Sequence, residues 1–313
     1  MTKFDLENPP PEGLDQMPPQ PPGPVKTDLT INHDADTGWP VKKFRLPAHI
    51  YLQDDLTYKA GKILELEKYI DYYGDKIDQV TFYVWHNHLD RIYPNLNFVY
   101  YPKFHYNHFK ELTDKKTWDK FKFNTQKEFV FLCLNMNRRP HRDKTVQLLQ
   151  NMPNRLISYK AVGWDIFGHD SDITHVDYNT QDSIQIANII NLTQLQPVYD
   201  RCEFSVVTET RYSLPYDFIT EKTTQCFVAL HPALYVSNRE HVQELRNYGF
   251  DVFDDVFDHS YDTLEDDKRI EHMIESNRTV LEKGIPNYGD LKDRLLENRR
   301  YYLDPKCPLY EVK

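Results

Sequence analysis

Short apolar runs of strand length alternate with segments of helical spacing along most of the chain. The runs at 80–85, 129–134 and 204–208 are rich in β-branched or aromatic residues, which favours buried strands. Residues 59–73 instead carry apolar positions at helical spacing. Strands that alternate with helices over this length predict an α/β fold with parallel sheets.

The same pattern predicts further elements. Additional strands are predicted at 44–52, 97–101, 156–161, 233–236 and 251–253. Helices are predicted at 143–149, at 191–199, from 220 onward, at 241–248 and over 262–302. Gly249 should end the helix at 241–248, and the last helical stretch should be interrupted near Gly284 and Pro286.

The chain divides into four segments by composition and pattern. Residues 1–40 hold nine of the 20 prolines and are predicted to form a disordered arm, which could be a ligand for a partner protein or a passive tail. Residues 41–125 and 126–262 are each expected to form an α/β domain. Residues 263–313 are expected to form a charged helical segment.

The composition limits the function classes. A net charge of −10 argues against general binding to nucleic acid or to an anionic membrane surface. No apolar run reaches about 18 residues, and the N-terminus has no apolar signal region, so we expect neither a membrane span nor a secretory signal. The four cysteines are scattered, and three of them lie in apolar runs and are predicted to be buried thiols, which favours a reducing compartment. We therefore expect a cytoplasmic protein.

The stretch at 204–230 combines a strand, a loop and a helix start. Thr220 is a plausible N-cap, and Glu221 in the first turn suits the positive end of the helix dipole. In open α/β sheets, loops of this kind bind anionic ligands. Glu221 and Lys222 could hold a ribose diol and a phosphate, or they could be two solvated charges on a surface helix.

A basic segment follows the strand at 129–134. Asn135 opens it, and Arg138, Arg139 and Arg142 concentrate positive charge at a helix start in an otherwise acidic protein. Arginine holds phosphate oxygens in a bidentate geometry and keeps its proton. The segment is therefore a candidate anion site, with a solvated basic turn as the alternative.

The run YDFITEK at 216–222 resembles the D-Y-[IV]-T-E-K signature of the α-1,3-fucosyltransferases, glycosyltransferase family 10. Glu209 stands where that family has the glutamate of an E-N-S element, although Thr210 and Arg211 follow it here. Pro232, Asn238 and the pair at 249–250 resemble related proteins of large phages and viruses. The similarity covers 128–262.

This resemblance implies a GT-B architecture, in which two Rossmann-like domains face a central cleft, with 41–125 on the acceptor side and 126–262 binding the nucleotide sugar. It implies inverting sugar transfer without a metal or other cofactor, with GDP-fucose as the leading donor and a glycan or other hydroxyl compound as acceptor. Arg142 and Lys222 would neutralise the diphosphate, Glu221 would bind the ribose, and Glu209 would lie close to the donor sugar. The full set of predicted donor-binding residues is Asn135, Arg138, Arg139, Arg142, Tyr216, Asp217, Thr220, Glu221 and Lys222.

A base is needed to deprotonate the acceptor hydroxyl. His86, His88 and Asp90 follow the strongest strand of the N-terminal half and are the candidates, with a structural role or a metal site as alternatives. The residues at 170–172 match a D-x-D pattern, which another glycosyltransferase class uses to hold a metal and a nucleotide.

Two other functions remain open at this stage. The chain could be a phage or viral glycosyltransferase that acts on DNA or on a virion protein, in which case it would work in the host-cell cytoplasm. It could also be a non-catalytic module that binds a glycan or a nucleotide.

Overall fold

A computed structural model of the 313-residue chain describes residues 61–84, 89–100, 109, 112–113, 116–159, 195–215 and 219–310. It also describes the backbone of four short strands at 31–32, 41–42, 48–52 and 58–59. The predicted arm at 1–40 therefore lies outside the described residues, apart from one of these strands.

The N-terminal half contains a small parallel sheet and two short antiparallel pairs. Its strands are β1 (Ile31–Asn32), β2 (Val41–Lys42), β3 (Ala48–Leu52), β4 (Tyr58–Lys59), β5 (Lys62–Ile63), β6 (Val80–Val84) and β7 (Asn97–Tyr100). The sheet has the order β3-β6-β7, with both neighbours parallel, while β1 pairs with β2 and β4 with β5. Helix α1 (Leu64–Tyr73) connects β5 to a 3-10 helix at Gly74–Gln79.

The second sheet is fully parallel and has four strands. They are β8 (Phe129–Asn135), β9 (Arg155–Tyr159), β10 (Cys202–Thr208) and β11 (Ala233–Val236), in the spatial order β11-β10-β8-β9. Helix α2 (Pro140–Leu149) connects β8 to β9, and helix α3 (Glu221–Ala229) connects β10 to β11. The chain places β9 on one side of β8 and then β10 on the other, so the strand order reverses between β8 and β10. This arrangement is compatible with a Rossmann-like fold.

The chain after β11 is helical. It contains α4 (His241–Asn247), α5 (Asp266–Ser276), α6 (Arg278–Lys283) and α7 (Lys292–Tyr302). Further 3-10 helices lie at Leu89–Arg91, Thr117–Lys120, Ser260–Thr263, Tyr288–Leu291 and Pro308–Tyr310. Gly284 follows α6 with φ +83, and a Cβ there would approach the Glu203 carboxylate to 2.5 Å. The predicted interruption of the helical stretch therefore depends on a glycine at this position.

Two groups of buried apolar residues form the interior of the described structure. The smaller one joins α1 to β6, with Leu66 and Phe82 fully buried. The larger one surrounds β8, β10 and β11 and includes the C-terminal helices. Phe109, Leu112 and Phe121 also pack in this larger group, although we expected residues up to 125 to belong to the first domain. The boundary at 125 stays a prediction.

The structure confirms the mixed α/β class and most predicted strands. The strand at 233–236 is observed as predicted, and those at 129–134 and 204–208 are extended by one or two residues. All four cysteines are buried and none forms a disulfide, and the sequence predicts this burial for three of them. Residues 195–200 are helical, which confirms the described part of the helix at 191–199.

The strand predicted at 251–253 is wrong. Phe253 has φ +62, a left-handed conformation that a strand cannot contain. The backbone of Asp251 bonds instead to the side chain of Asn298 on α7. The Asp251 N–H donates to Asn298 Oδ1 at 2.9 Å, and Asn298 Nδ2 donates to the Asp251 carbonyl at 2.7 Å. The segment is therefore held by a side chain 47 residues away rather than by a neighbouring strand.

Two predicted helix starts also need correction. The helix predicted from 59 begins at Leu64, because β4 and β5 pair across Gly61 with φ +82. The helix predicted from 143 begins at Pro140, since a proline at the first helical position loses no hydrogen bond. This second correction moves Arg142 from a loop into a helix.

No helix in the described part of the chain combines the length and the apolar character that crossing a bilayer requires.

We predict that the protein loses stability in mild acid because of buried neutral histidines. Burial lowers the pKa of His231 to about 3, while its Nε2 donates to the Tyr199 carbonyl at 2.7 Å and its Nδ1 accepts from the Ser205 hydroxyl at 3.0 Å. Below about pH 6.5 the unfolded chain binds a proton that the folded chain does not. The free energy of unfolding should therefore fall by about 1.4 kcal/mol per pH unit for this histidine.

Urea unfolding at pH 7.5 and pH 5.0 measures this loss, which should be about 2 kcal/mol for His231 alone. The control is His231→Gln, which retains a donor and an acceptor but does not titrate. Its stability should depend less steeply on pH than that of the wild type. If the free energy of unfolding depended equally on pH in the two proteins, the loss of stability in acid would not arise from His231.

Candidate functional site

The candidate site lies at the carboxyl ends of β8 and β10, where the strand order reverses. Asn135 ends β8 and Thr208 ends β10, and the Thr208 hydroxyl donates to Asn135 Oδ1 at 2.6 Å. Ligands of open α/β sheets bind at such a reversal point, because the loops after the two strands diverge there and leave a crevice. Helices α2 and α3 both begin beside it.

Arg142 is a buried residue in the first turn of α2, with only 3% of its surface exposed. Its Nη1 donates to the Asn137 carbonyl at 3.0 Å, and its Nη2 donates to the carbonyls of Thr208 and Glu209 at 3.3 and 3.4 Å. Arg142 therefore connects the end of β8 to the end of β10. Its Nε is buried without a hydrogen-bond partner among the described residues.

Arg139 is the residue directly before α2. Its backbone N–H donates to the Tyr159 hydroxyl at 3.3 Å, and that hydroxyl donates to Asp143 at 2.7 Å. The Arg139 guanidinium makes neither a hydrogen bond nor an ion pair with the described residues, and its Nε is buried. Arg138 differs, since its exposed guanidinium pairs with Asp143 at 3.1 Å.

Glu209 follows β10 and has no exposed surface. Its Oε1 accepts from the N–H of Thr220 at 3.1 Å and from the hydroxyl of Thr223 at 2.6 Å. Its Oε2 accepts from the N–H of Thr210 at 3.1 Å and from the hydroxyl of Thr220. In this structure the carboxylate joins the loop after β10 to the start of α3, whereas the resemblance implies contact with the donor sugar.

The start of α3 has the local geometry predicted from the sequence. Thr220 is the N-cap, and its hydroxyl accepts from the N–H of Lys222 at 3.3 Å. The Lys222 ammonium donates to Glu221 Oε1 at 2.6 Å, to Thr210 Oγ1 at 3.0 Å and to Thr220 Oγ1 at 3.3 Å. Lys222 and Glu221 each keep about a quarter of their side-chain surface exposed, so a ligand can reach both.

The electrostatics of the site favour an anion. Burial lowers the pKa of Arg142 from its usual range, and the nearby charge of Arg139 lowers it further. Burial lowers the pKa of His141 to about 4, and both arginines act on it in the same direction. The carboxylates of Glu209 and Glu221 act on the Arg142 pKa in the opposite direction. Arg139, Arg142 and the Lys222–Glu221 pair thus lie near the strand-order reversal, where an anionic ligand would add a further counter-charge.

A stack of three side chains holds the loop after β10, and no sequence pattern predicts it. The Tyr212 ring stacks on His141 at 5.3 Å between ring centroids, and the Arg269 guanidinium of α5 lies over the same ring at 4.5 Å. Arg269 also donates to the Tyr212 carbonyl at 2.9 Å. These contacts join residues separated by 57 or more positions, so no local pattern could predict them.

Several predicted site residues lie outside the described residues. They are His86, His88, Tyr216, Asp217 and the D-x-D match at 170–172. Asp90 is described and lies exposed in the 3-10 helix Leu89–Arg91. Its neighbour Arg91 pairs with Glu240, which follows β11, at 3.4 Å.

The described residues contain no group of three or more histidine, cysteine, aspartate or glutamate side chains arranged to hold a metal ion. An open cavity of about 530 Å³ lies elsewhere, between residues 254–260 and α6. Two of its carboxylates, Asp254 and Asp255, already pair with Arg246 and Arg294. We therefore place the candidate site at the strand-order reversal and not in this cavity.

Comparisons with known proteins add no assignment. No protein-family model matches this sequence, and no curated protein is significantly similar to it. The argument for function therefore depends on the geometry of the site.

Proposed function

We propose that this chain is a metal-independent glycosyltransferase that moves a sugar from a nucleotide donor to a hydroxyl acceptor. The diphosphate of the donor would bind at the strand-order reversal, between the starts of α2 and α3. The proposed architecture is GT-B, and the proposed relationship is to family 10 fucosyltransferases, with GDP-fucose as the first donor to test.

One observation carries this proposal: three cations surround the reversal point of a parallel sheet, and the guanidinium of one of them, Arg139, has no partner among the described residues. The Arg139 Nε is buried without a partner, and a desolvated donor of this kind favours a complementary anion. Two helix starts beside the same point add further positive potential.

The expected chemistry follows from charge development on the leaving group. When the bond between sugar and phosphate breaks, negative charge builds on the departing nucleoside diphosphate, and preorganised cations stabilise it. Lys222 is fixed by three hydrogen bonds and would supply one such cation. Glu221 would turn from Lys222 towards the ribose hydroxyls when the diphosphate binds.

A facing arrangement of the two halves is supported by two contacts between them. Arg91 of the N-terminal half pairs with Glu240, and Leu214 packs against the smaller apolar group around β6. The backbone N–H of Leu214 donates to Asn238 Oδ1, just after β11, at 3.0 Å. The carboxyl ends of β10 and β11 would then face the acceptor side, as the proposed mechanism requires.

A second candidate is a nucleotide-binding module without transferase activity. The burial of Glu209 favours it, because this carboxylate makes four hydrogen bonds within the protein and has no exposed surface for a sugar. In that case the same cations would bind a nucleoside diphosphate, but no bond would break.

The test is release of nucleoside diphosphate from a panel of sugar nucleotides, beginning with GDP-fucose, with and without EDTA. Release from one donor that persists in EDTA and increases with a hydroxyl acceptor would support the transferase. Binding of a nucleotide without release would favour the second candidate. Neither binding nor release with any member of the panel would overturn both.

A further inference from the structure

We infer that Arg139, and not Arg142, is the arginine that contacts the anionic ligand, while Arg142 holds the two loops of the site together. This division rests on the proposed function, since it concerns the same nucleoside diphosphate. It reverses the order of importance that the resemblance implies, in which Arg142 is the main diphosphate contact.

Arg142 has most of its donors occupied. Three backbone carbonyls, from Asn137, Thr208 and Glu209, accept from its two terminal nitrogens. Its surface is almost completely buried. A bidentate contact with a phosphate needs two parallel N–H groups that face the ligand. The N–H groups on Arg142 Nη2 already donate to the carbonyls at the end of β10.

Arg142 instead stabilises the backbone around the site. Its carbonyl partners belong to the loop after β8 and to the end of β10, so it holds this loop against the end of the neighbouring strand. His141 strengthens the same connection, because its Nε2 donates to the Glu209 carbonyl at 2.9 Å. Without these donors, the buried carbonyls of Thr208 and Glu209 would lose hydrogen bonds.

Arg139 has the opposite properties. Its backbone is fixed in an extended conformation before α2, with its N–H bonded to the Tyr159 hydroxyl at 3.3 Å. Its side chain is only partly buried and has no carboxylate or carbonyl partner among the described residues. Its charge is near enough to lower the pKa of both Arg142 and His141. Arg139 is thus a cation beside Arg142 and His141 that has no counter-ion among the described residues.

The remaining cations of the site are already paired. Lys222 contacts Glu221 at 2.6 Å, and the exposed Arg138 contacts Asp143 at 3.1 Å. A diphosphate that arrives at the crevice therefore gains most from Arg139, since no existing contact within the described residues must be broken. Lys222 would act second, after exchange of its Glu221 partner.

The experiment compares Arg139→Gln, Arg139→Lys and Arg142→Gln in the full chain, with binding of the nucleoside diphosphate GDP measured by calorimetry and Tm measured without ligand. UDP replaces GDP if the wild type does not bind GDP. Arg139→Gln should raise Kd at least about tenfold, which is the scale of one charged hydrogen bond, and should leave Tm unchanged. Arg139→Lys should restore part of the affinity, because it keeps the charge but loses the fork. Arg142→Gln should lower Tm by roughly 5 °C or more.

The matched control is Arg155→Gln, since Arg155 is an exposed arginine at the amino end of β9, whereas the site lies at the carboxyl ends of the strands. It should change neither Kd nor Tm. If Arg139→Gln binds as tightly as the wild type, the inference is overturned while the proposed function stands. If Arg142→Gln loses affinity with an unchanged Tm, Arg142 is the contact and the inference is likewise overturned. If the wild type binds no nucleoside diphosphate, both the proposed function and the inference fail.

Discussion

Replacing Glu209 with alanine should lower the free energy of unfolding by at least about 3 kcal/mol, because four donors would lose their acceptor inside the protein. Two of these donors are the backbone N–H groups of Thr210 and Thr220, and two are the hydroxyls of Thr220 and Thr223. Glu209 has no exposed surface, so water cannot replace the lost acceptor. Urea unfolding at pH 7.5 measures the change.

The control for this experiment is Glu265→Ala, which removes a carboxylate that is 77% exposed and pairs with the exposed Arg239. Exposed pairs of this kind contribute about 0–1 kcal/mol, so this variant should remain close to the wild type. If Glu209→Ala were as stable as the Glu265 variant and lost only ligand binding, Glu209 would be a donor contact after all. The structural role assigned to it here would then be wrong.

Replacing Lys222 with alanine should weaken binding of a nucleoside diphosphate by roughly 10- to 100-fold, the range expected for a charged hydrogen bond in a partly buried site. The folded protein should lose little stability, because the ammonium is partly exposed and its pair with Glu221 is close to the surface. Calorimetric titration gives Kd, and a thermal scan without ligand gives Tm. We expect a large change in Kd and a small change in Tm.

The control is Lys283→Ala, which removes an exposed lysine at the end of α6, far along the chain from the site. It should leave both quantities unchanged. Equal affinities for the two lysine variants would remove Lys222 from the proposed binding site. A large fall in the Tm of Lys222→Ala would instead identify Lys222 as a structural residue.

The sequence was sufficient to predict those features that depend on neighbouring residues. The buried strand β10 is a run of β-branched and apolar residues, and Thr220 caps α3 through a hydrogen bond to the N–H of Lys222, two positions away. Both features arise from local preferences, so one segment contains the information. The candidate anion site was found for the same reason, since its two loops each follow a recognisable strand.

Features that depend on distant contacts could not be predicted. The predicted strand at 251–253 fails because Asn298 bonds to the backbone of Asp251. The burial of Arg142 depends on the carbonyls of Thr208 and Glu209, which lie 66 and 67 positions away. Nothing in the basic run at 135–142 distinguishes a solvated arginine from one that holds two strands together.

The order of the strands in the second sheet could not be predicted from the sequence either. Each strand could be recognised alone, but the position of β10 beside β8 became known only from the register that pairs Cys202 with Phe129. That pairing creates the strand-order reversal and brings the loops after β8 and β10 together. The family resemblance implies that these two loops meet, whereas no local pattern in either segment predicts it.

We propose that the strand-order reversal binds a nucleoside diphosphate without a metal. A titration of the wild-type chain with GDP, UDP, CDP, dTDP and ADP in EDTA, each compared with its nucleoside, tests this proposal. At least one diphosphate should bind at a single site, its affinity should fall as salt is added, and its nucleoside should bind far more weakly. No binding of any of the five diphosphates, or equal binding of the diphosphate and its nucleoside, would contradict it.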